Sequence, residues 1–130
     1  IHRVEQLIKL MDTIRIANAQ NKWNIALEFR DVSWYNEDIY ELIWQNKMSI
    51  VMHDKTSSAT PMIDSPVNFV YLRFHGPGGN YRGSYPEDFL YEYGGYIKEW
   101  IEEGKTVYVY FNNTMGEALN NLNMLRSFIS

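Results

Sequence analysis

The chain has 130 residues, a net charge of −4 and 45% hydrophobic residues, which is enough for one ordinary domain and argues against holding nucleic acid by bulk electrostatics. It contains no cysteine, which excludes disulfides, thiol catalysis and cysteine–zinc sites. There is no apolar run of about 18 residues and no signal-peptide pattern at the start, so we expect a cytoplasmic protein without a membrane span.

The first half of the sequence predicts two helices and two strands. Apolar residues at helical spacing predict an opening helix; its stripe consists of Val4, Leu7, Ile8, Met11 and Ile14. Alternation predicts a strand over residues 24–30, and Asn36 is placed to cap a helix over residues 36–47. A short apolar run at residues 48–52 predicts a buried strand that ends at His53 and Asp54.

The second half adds two strands and two helices. Residues 55–67 are polar, include two prolines and predict a loop without a full helix. A strand over residues 69–75 leads through a glycine-rich loop to a long helix. Ser84 and Glu87 predict a capping box for that helix, and Gly104 predicts its C-terminal end. A last strand over residues 106–111 precedes a final helix, for which Thr114 and Glu117 predict a second capping box.

The order of these elements predicts the fold class. Strands that alternate with helices indicate a parallel sheet with right-handed crossovers. Links from helix to strand are short and links from strand to helix are long, which is typical of a β/α barrel. Four strands are recognisable, whereas such a barrel closes with eight. We therefore predict an α/β fold in which residues 1–130 form one segment, the C-terminal half of a TIM-type (β/α)8 barrel, with the N-terminal half missing.

Polar side chains gather where the predicted strands end. They are Glu28, Arg30, Asp54, Arg73, His75 and Asn112. His75 is the candidate acid or base because an unperturbed imidazole has a pKa near ~6.5, and Glu28 and Asp54 are the other catalytic candidates. Arg30, Arg73 and Asn112 are candidate ligand-binding residues. In the alternative interpretation, Glu28 pairs with an arginine, stabilises the barrel lumen and takes no part in catalysis.

The loops carry further candidates for ligand binding. Gly78 and Gly79 precede Arg82 and a helix start, which together predict an anion site, although an ordinary mobile loop would have the same composition. Trp34, Tyr81 and Tyr85 lie in strand-to-helix loops. These rings could stack on a sugar or a base, or they could cap the core.

The sequence indicates no metal site and identifies no cofactor. Glu28, Asp54 and His75 are conceivable ligands, but no compact ligand spacing supports them. The sequence indicates a functional role less strongly for His2 and His53 than for His75.

Three blocks of sequence resemble the YecE-like family, a domain of unknown function (number 72). The blocks are residues 26–30 with Ser33 and Trp34, residues 71–76, and residues 107–113 with Gly116 and Ala118. Their order and spacing match the family pattern over most of the chain. The resemblance implies an eight-stranded β/α barrel about twice this length, and it implies no particular reaction.

Taken together, the residues predict an enzyme that acts on a small polar or anionic ligand, phosphorylated or sugar-like, by acid/base chemistry at the strand ends. The remainder of its own barrel is the expected protein partner. One alternative is a non-catalytic module that binds a small ligand in the same pocket. A second alternative is a single-stranded nucleic-acid binder that uses Trp34 and the loop tyrosines.

Overall fold

A computed structural model describes residues 2–20 and 22–130 of the chain. The helices are α1 (His2–Ala17), α2 (Glu37–Gln45), α3 (Glu87–Glu102) and α4 (Ala118–Ile129), with a short 3-10 helix at Val32–Trp34. The strands are β1 (Ala26–Leu27), β2 (Ser49–Ile50), β3 (Met52–His53), β4 (Phe69–Phe74) and β5 (Thr106–Phe111). The elements follow the order that the sequence predicted, including a stretch without a helix at residues 54–68, and the mixed α/β class is confirmed.

The strands pair in parallel and form two small sheets. β1 pairs with β2, and β3, β4 and β5 form the second sheet in that order. The predicted strand at residues 48–52 is divided at Val51, whose amide donates to the carbonyl of Leu27 at 2.8 Å. One short stretch of chain therefore joins the two sheets, pairing first with β1 and then with β4.

Each sheet packs on its own pair of helices. The apolar face of β4, formed by Val70, Leu72 and Phe74, lies in one core with α3 and α4. A second core is built from α1, α2, β1 and β2 and is centred on Met11 and Ile43. The strand alternation predicted this apolar face of β4 correctly.

The predicted helix caps have mixed outcomes. Asn36 caps α2 as predicted, because its side chain accepts from the amide of Ile39 at 3.1 Å. The capping box of Ser84 and Glu87 is wrong: α3 begins after Pro86 without a side-chain cap, and the Ser84 hydroxyl instead accepts from Asn121. The box of Thr114 and Glu117 is also wrong, since α4 begins at Ala118 with no side-chain cap.

Two glycines serve the packing of α3. Gly104 follows its last turn with φ +86°, the left-handed conformation that a C-terminal glycine supplies. A Cβ at Gly94 would lie 2.9 Å from Cβ of Phe128, so this glycine lets α3 and α4 approach closely. Among the helices at residues 2–20 and 22–130, none has the length and apolar character needed to cross a membrane.

Candidate functional site

Glu28, just after β1, is the centre of a charged cluster. Its carboxylate accepts from Arg73 Nη1 at 2.9 Å and forms a second ion pair with Arg30. The Arg73 side chain comes from β4, so the cluster joins the two sheets. With the amide of Asn112 turned so that its oxygen faces Arg73, that oxygen accepts from Nη2 at 2.6 Å and from Nε at 3.1 Å. The structure thus brings together four of the six predicted strand-end residues directly.

His75 lies beside this cluster with a fully buried ring, 0% exposed. Its Nε2 is 3.8 Å from Glu28 Oε1, and its ring packs edge-on against His53 and Tyr81. Within the described part of the chain, neither ring nitrogen of His75 has a hydrogen-bond partner. Burial lowers the pKa of His75, and the nearby Glu28 carboxylate opposes that shift. The imidazole is therefore held neutral with two unused nitrogens.

Asp54 holds the backbone that carries His75. One carboxylate oxygen accepts from the amide of His75 at 2.6 Å, and the other accepts from the hydroxyl of Tyr85. The same hydroxyl accepts from the amide of Gly76 at 2.7 Å. Burial, together with Asp54, raises the pKa of Tyr85, so its hydroxyl stays protonated. Both oxygens of Asp54 are engaged, and this geometry suits positioning of the strand end.

His53, for which the sequence analysis predicted no particular role, is buried in the same cluster. Ligand atoms of Glu28, His53 and His75 lie within 4.8 Å of one another, close enough to consider a metal ion. However, Nδ1 of His53 accepts from the amide of Lys55 at 3.2 Å, so Nε2 carries the proton and donates to the carbonyl of Phe29 at 2.9 Å. Both nitrogens of His53 are committed, and neither offers a lone pair to a cation.

One sequence signal could have pointed to His53. It follows the apolar run at residues 48–52 as His75 follows β4, so both histidines stand at the carboxyl end of a buried parallel strand. The register sets His53 opposite Arg73, two residues before His75, so the two histidines lie near the same edge of the sheet but are not at equivalent positions.

The glycine-rich loop is folded mainly on itself. The amide of Gly79 donates to the carbonyl of Gly76 at 2.8 Å, and the carbonyl of Gly78 accepts from Thr56 at 3.1 Å. Arg82 is exposed. Because the Gly79 amide is engaged in a turn, the loop geometry adds no support for the predicted anion site, which stays a prediction.

The three predicted loop aromatics differ in accessibility. Trp34 stacks on Phe29 at 5.0 Å, and the guanidinium of Arg3 lies 3.7 Å from the centre of the Trp34 ring. Tyr85 is buried. Tyr81 is partly exposed and has φ +65°, an uncommon conformation for a non-glycine residue. Of the three, Tyr81 has the ring that is both open to solvent and close to His75.

Fold and cluster together define a parallel α/β protein whose charged and titratable groups meet at the carboxyl ends of its strands. The family model described as "Protein of unknown function DUF72" matches residues 2–130. The chain therefore belongs to the DUF72 family, as its sequence blocks predicted.

A solved structure of a relative supports the same assignment. The chain is similar to a DUF72 family protein from Thermotoga maritima, with 25% sequence identity and a TM-score of 0.57. The match covers 91% of this chain and 49% of that protein, so the chain spans about half the length of this relative. No curated protein matches the chain.

Proposed function

We propose that this chain forms the C-terminal half of a TIM-type β/α barrel whose remaining strands complete the site. The support is the parallel strand pairing and the match to 49% of the Thermotoga maritima relative. Barrels of this kind have eight strands and place their active sites at the carboxyl ends of those strands. The absence of cysteine fits a reducing compartment, and we place the protein in the cytoplasm.

The function that this site supports best is acid/base catalysis on a small polar or anionic ligand. The observation that carries it is the His75 ring, buried, with two unpartnered nitrogens among the described residues, 3.8 Å from the Glu28 carboxylate. A buried imidazole that makes no internal hydrogen bond is costly for the fold. A ligand that donates to or accepts from His75 would remove that cost and would place a proton-transfer group on the ligand.

The neighbouring side chains have supporting roles in this proposal. Arg30 and Arg73 share one carboxylate, that of Glu28, and can attract an anionic group. Glu28 is the second acid/base group, and Asp54 positions the backbone of His75. The amide of Asn112 orients Arg73.

Two other interpretations have less support. Single-stranded nucleic-acid binding needs accessible aromatic faces, but the Trp34 ring already contacts both Phe29 and the guanidinium of Arg3, and Tyr85 is buried. A purely binding module would use the same pocket, and only a turnover measurement separates it from an enzyme.

The test is a metabolite screen on the intact protein by thermal shift, followed by NMR detection of any chemical change in the ligands that bind. We expect at least one small polar or anionic compound to be converted. The substitution His75→Gln should lower the rate by about 10²–10⁴-fold, the usual contribution of a positioned acid or base. Glu28→Gln should also lower it.

Glu99→Gln is the matched control, because Glu99 lies on the exposed side of α3, outside the strand-end cluster. It should leave both melting temperature and turnover unchanged. Binding without conversion by the parent protein would favour the binding module. Unchanged turnover in a folded His75→Gln variant would refute the role assigned to His75.

A further inference from the structure

The His75 ring has no exposed surface, although the function proposed above requires a ligand to touch it. This burial is produced by residues of the chain itself, so strands that complete a barrel can add to it but cannot remove it. A group beside the ring must therefore move before a ligand reaches either nitrogen. The groups around the ring are Glu28, Asp54, His53, Arg73 and Tyr81.

Four of these five neighbours are fixed by hydrogen bonds. Arg73 donates to the carboxylate of Glu28 at 2.9 Å, and Asp54 accepts from the amide of His75 at 2.6 Å. Both ring nitrogens of His53 are engaged by backbone groups. Moving any of the four would break hydrogen bonds between groups that are at least partly buried, which is unfavourable.

The fifth neighbour, Tyr81, is held in a different way. Its ring meets His75 edge-on with ring centres 5.4 Å apart, and Lys55 Nζ lies 5.6 Å from the centre of the Tyr81 ring. Its hydroxyl forms no hydrogen bond with any residue in the ranges 2–20 and 22–130. The residue is 38% exposed. Rotation of this side chain toward solvent therefore gives up ring contacts but breaks no hydrogen bond.

The backbone of Tyr81, in contrast, is firmly held in an unfavourable conformation. Its amide donates to the carbonyl of His75 at 2.6 Å, and its carbonyl accepts from the amide of Met115 at 3.1 Å. Its φ of +65° lies in the left-handed region, which glycine and asparagine adopt more readily than tyrosine. An aromatic residue kept at such a position indicates that the ring itself has a role.

The loop that carries Tyr81 is anchored within this chain. The carbonyl of Gly78 accepts from Thr56, which follows β3, and the bond from Met115 ties the loop to the segment after β5. A Cβ at Gly76 would lie 2.4 Å from the carbonyl oxygen of Arg82, so the two ends of the loop are in backbone contact. These anchors favour rotation of one side chain over opening of the whole loop.

From these observations we infer that the Tyr81 side chain is a movable cover over His75. It turns toward solvent to admit a ligand to the imidazole, while the backbone of the loop keeps its conformation. The purpose of the cover rests on the function proposed above, in which a ligand contacts His75. Its existence follows from the contacts of Tyr81 and is tested without any measurement of turnover.

The test is the reaction of the intact protein with diethyl pyrocarbonate, which acylates the unprotonated nitrogens of accessible histidines. Peptide mass spectrometry gives the rate at each histidine. Tyr81→Asn removes the ring and retains a residue that tolerates the left-handed conformation. Because minor conformations are typically populated to about 10% or less, we expect His75 to react about tenfold faster or more in this variant than in the parent. Tyr81→Phe keeps the ring and should react at about the parent rate.

Controls separate movement of one side chain from a loosened fold. His53 is an internal reference, because both of its nitrogens are engaged, and its rate should be the same in every variant. Tyr91→Ala, at an exposed position on α3, should leave the His75 rate unchanged. Tyr81→Gly, which suits the left-handed backbone, is the second variant should Tyr81→Asn not fold.

Three outcomes would overturn the inference. The first is an unchanged His75 rate in a folded variant that lacks the Tyr81 ring. The second is an equal acceleration of His53, which would show that the whole strand end opens. The third is an acceleration by Tyr81→Phe as large as that by Tyr81→Asn, which would assign the effect to the hydroxyl.

Failure of this inference and failure of the proposed function give different results. Faster acylation of His75 in Tyr81→Asn, with unchanged turnover in a folded His75→Gln variant, would refute the proposed function and support the cover. Unchanged acylation in Tyr81→Asn, with turnover lost in His75→Gln, would refute the cover and leave the proposed function standing.

Discussion

The two faces of β4 have opposite chemical characters within six residues. On one face Val70, Leu72 and Phe74 are buried among α3 and α4. On the other face Tyr71 and Arg73 are only half-buried, and Arg73 makes ion-pair and amide contacts across the two sheets. The first face is saturated with apolar contacts that stabilise the fold. On the second face Tyr71 and Arg73 keep part of their surface uncovered, which is where a ligand can gain binding energy.

His75 extends this contrast beyond the end of the strand. It lies on the same side as Tyr71 and Arg73, yet it is as buried as Leu72. Burial of an unpartnered polar ring costs stability, so the strand end is held in place by other contacts. Asp54 and Tyr85 supply them through hydrogen bonds to the amides of His75 and Gly76. The difference between the faces therefore predicts which substitutions affect folding and which affect binding.

The largest effect on stability is expected from the apolar face. Leu72→Ala removes a side chain that is 1% exposed and should lower the free energy of unfolding by about 2–5 kcal/mol, the usual range for leucine-to-alanine cavities. Urea unfolding of the intact protein measures it. Leu119→Ala, at an exposed position on α4, is the control and should change stability by no more than about 0.5 kcal/mol. Equal effects of the two would contradict the assigned core.

A smaller effect is expected from the bonds that hold the strand end. Tyr85→Phe preserves the stacked ring but removes the hydroxyl between Asp54 and the amide of Gly76. Removing one partner from the partly buried Asp54 carboxylate and from the buried Gly76 amide should cost about 1–3 kcal/mol. The same change at the exposed Tyr91 should be neutral. A melting temperature that Tyr85→Phe leaves unchanged would show that the hydroxyl does not hold the strand end.

On the face of β4 that carries Tyr71 and Arg73, stability should hardly respond to substitution. Arg73→Met removes one of two arginines from Glu28, and Arg30 remains paired with it. Because these side chains are partly in water, we expect a change in unfolding free energy within about 1 kcal/mol. Affinity for an anionic ligand should nevertheless fall by more than tenfold. Arg126→Met, on α4, is the control and should change neither quantity. A large loss of stability in Arg73→Met would instead show that the charged cluster serves to stabilise the fold.

The smallest effect is a change in how stability depends on pH. The groups around the His75 ring are Glu28, Asp54, His53, Arg73 and Tyr81. Because burial lowers the pKa of His75 in the fold, the unfolded chain binds the proton more readily. Stability should therefore be full above the ordinary histidine pKa of ~6.5 and should decline as the pH falls below it. Urea unfolding at several pH values should show a shallower decline for His75→Gln; an identical decline would exclude His75 as its source.

Much of the fold could be predicted from the sequence because alternation and helical spacing are local signals. The two faces of β4, the cap at Asn36 and the left-handed glycine after α3 all follow from neighbouring residues. The failed capping boxes have a tertiary cause. Ser84 is bonded by Asn121, a residue 37 positions away, and no pattern of three or four residues can anticipate that partner.

In the candidate site, too, some features follow from local sequence and others depend on contacts with distant residues. The convergence of Glu28, Arg73 and Asn112 was predicted, because the carboxyl ends of parallel strands meet at one edge. The commitment of both His53 nitrogens could not be predicted, since one partner is the carbonyl of Phe29, 24 positions earlier. The engaged amide of Gly79 likewise depends on how its loop closes, which composition alone does not determine.

The short stretch at residues 49–53 affects how the protein unfolds. It pairs with β1 through its first half and with β4 through its second, and Val51 between them is 4% exposed. Neither sheet can separate from this stretch without weakening the attachment of the other. The amide of Val51, bonded to Leu27, should therefore be among the slowest in the chain to exchange with deuterated solvent. It should exchange at the rate at which both cores unfold as one cooperative unit.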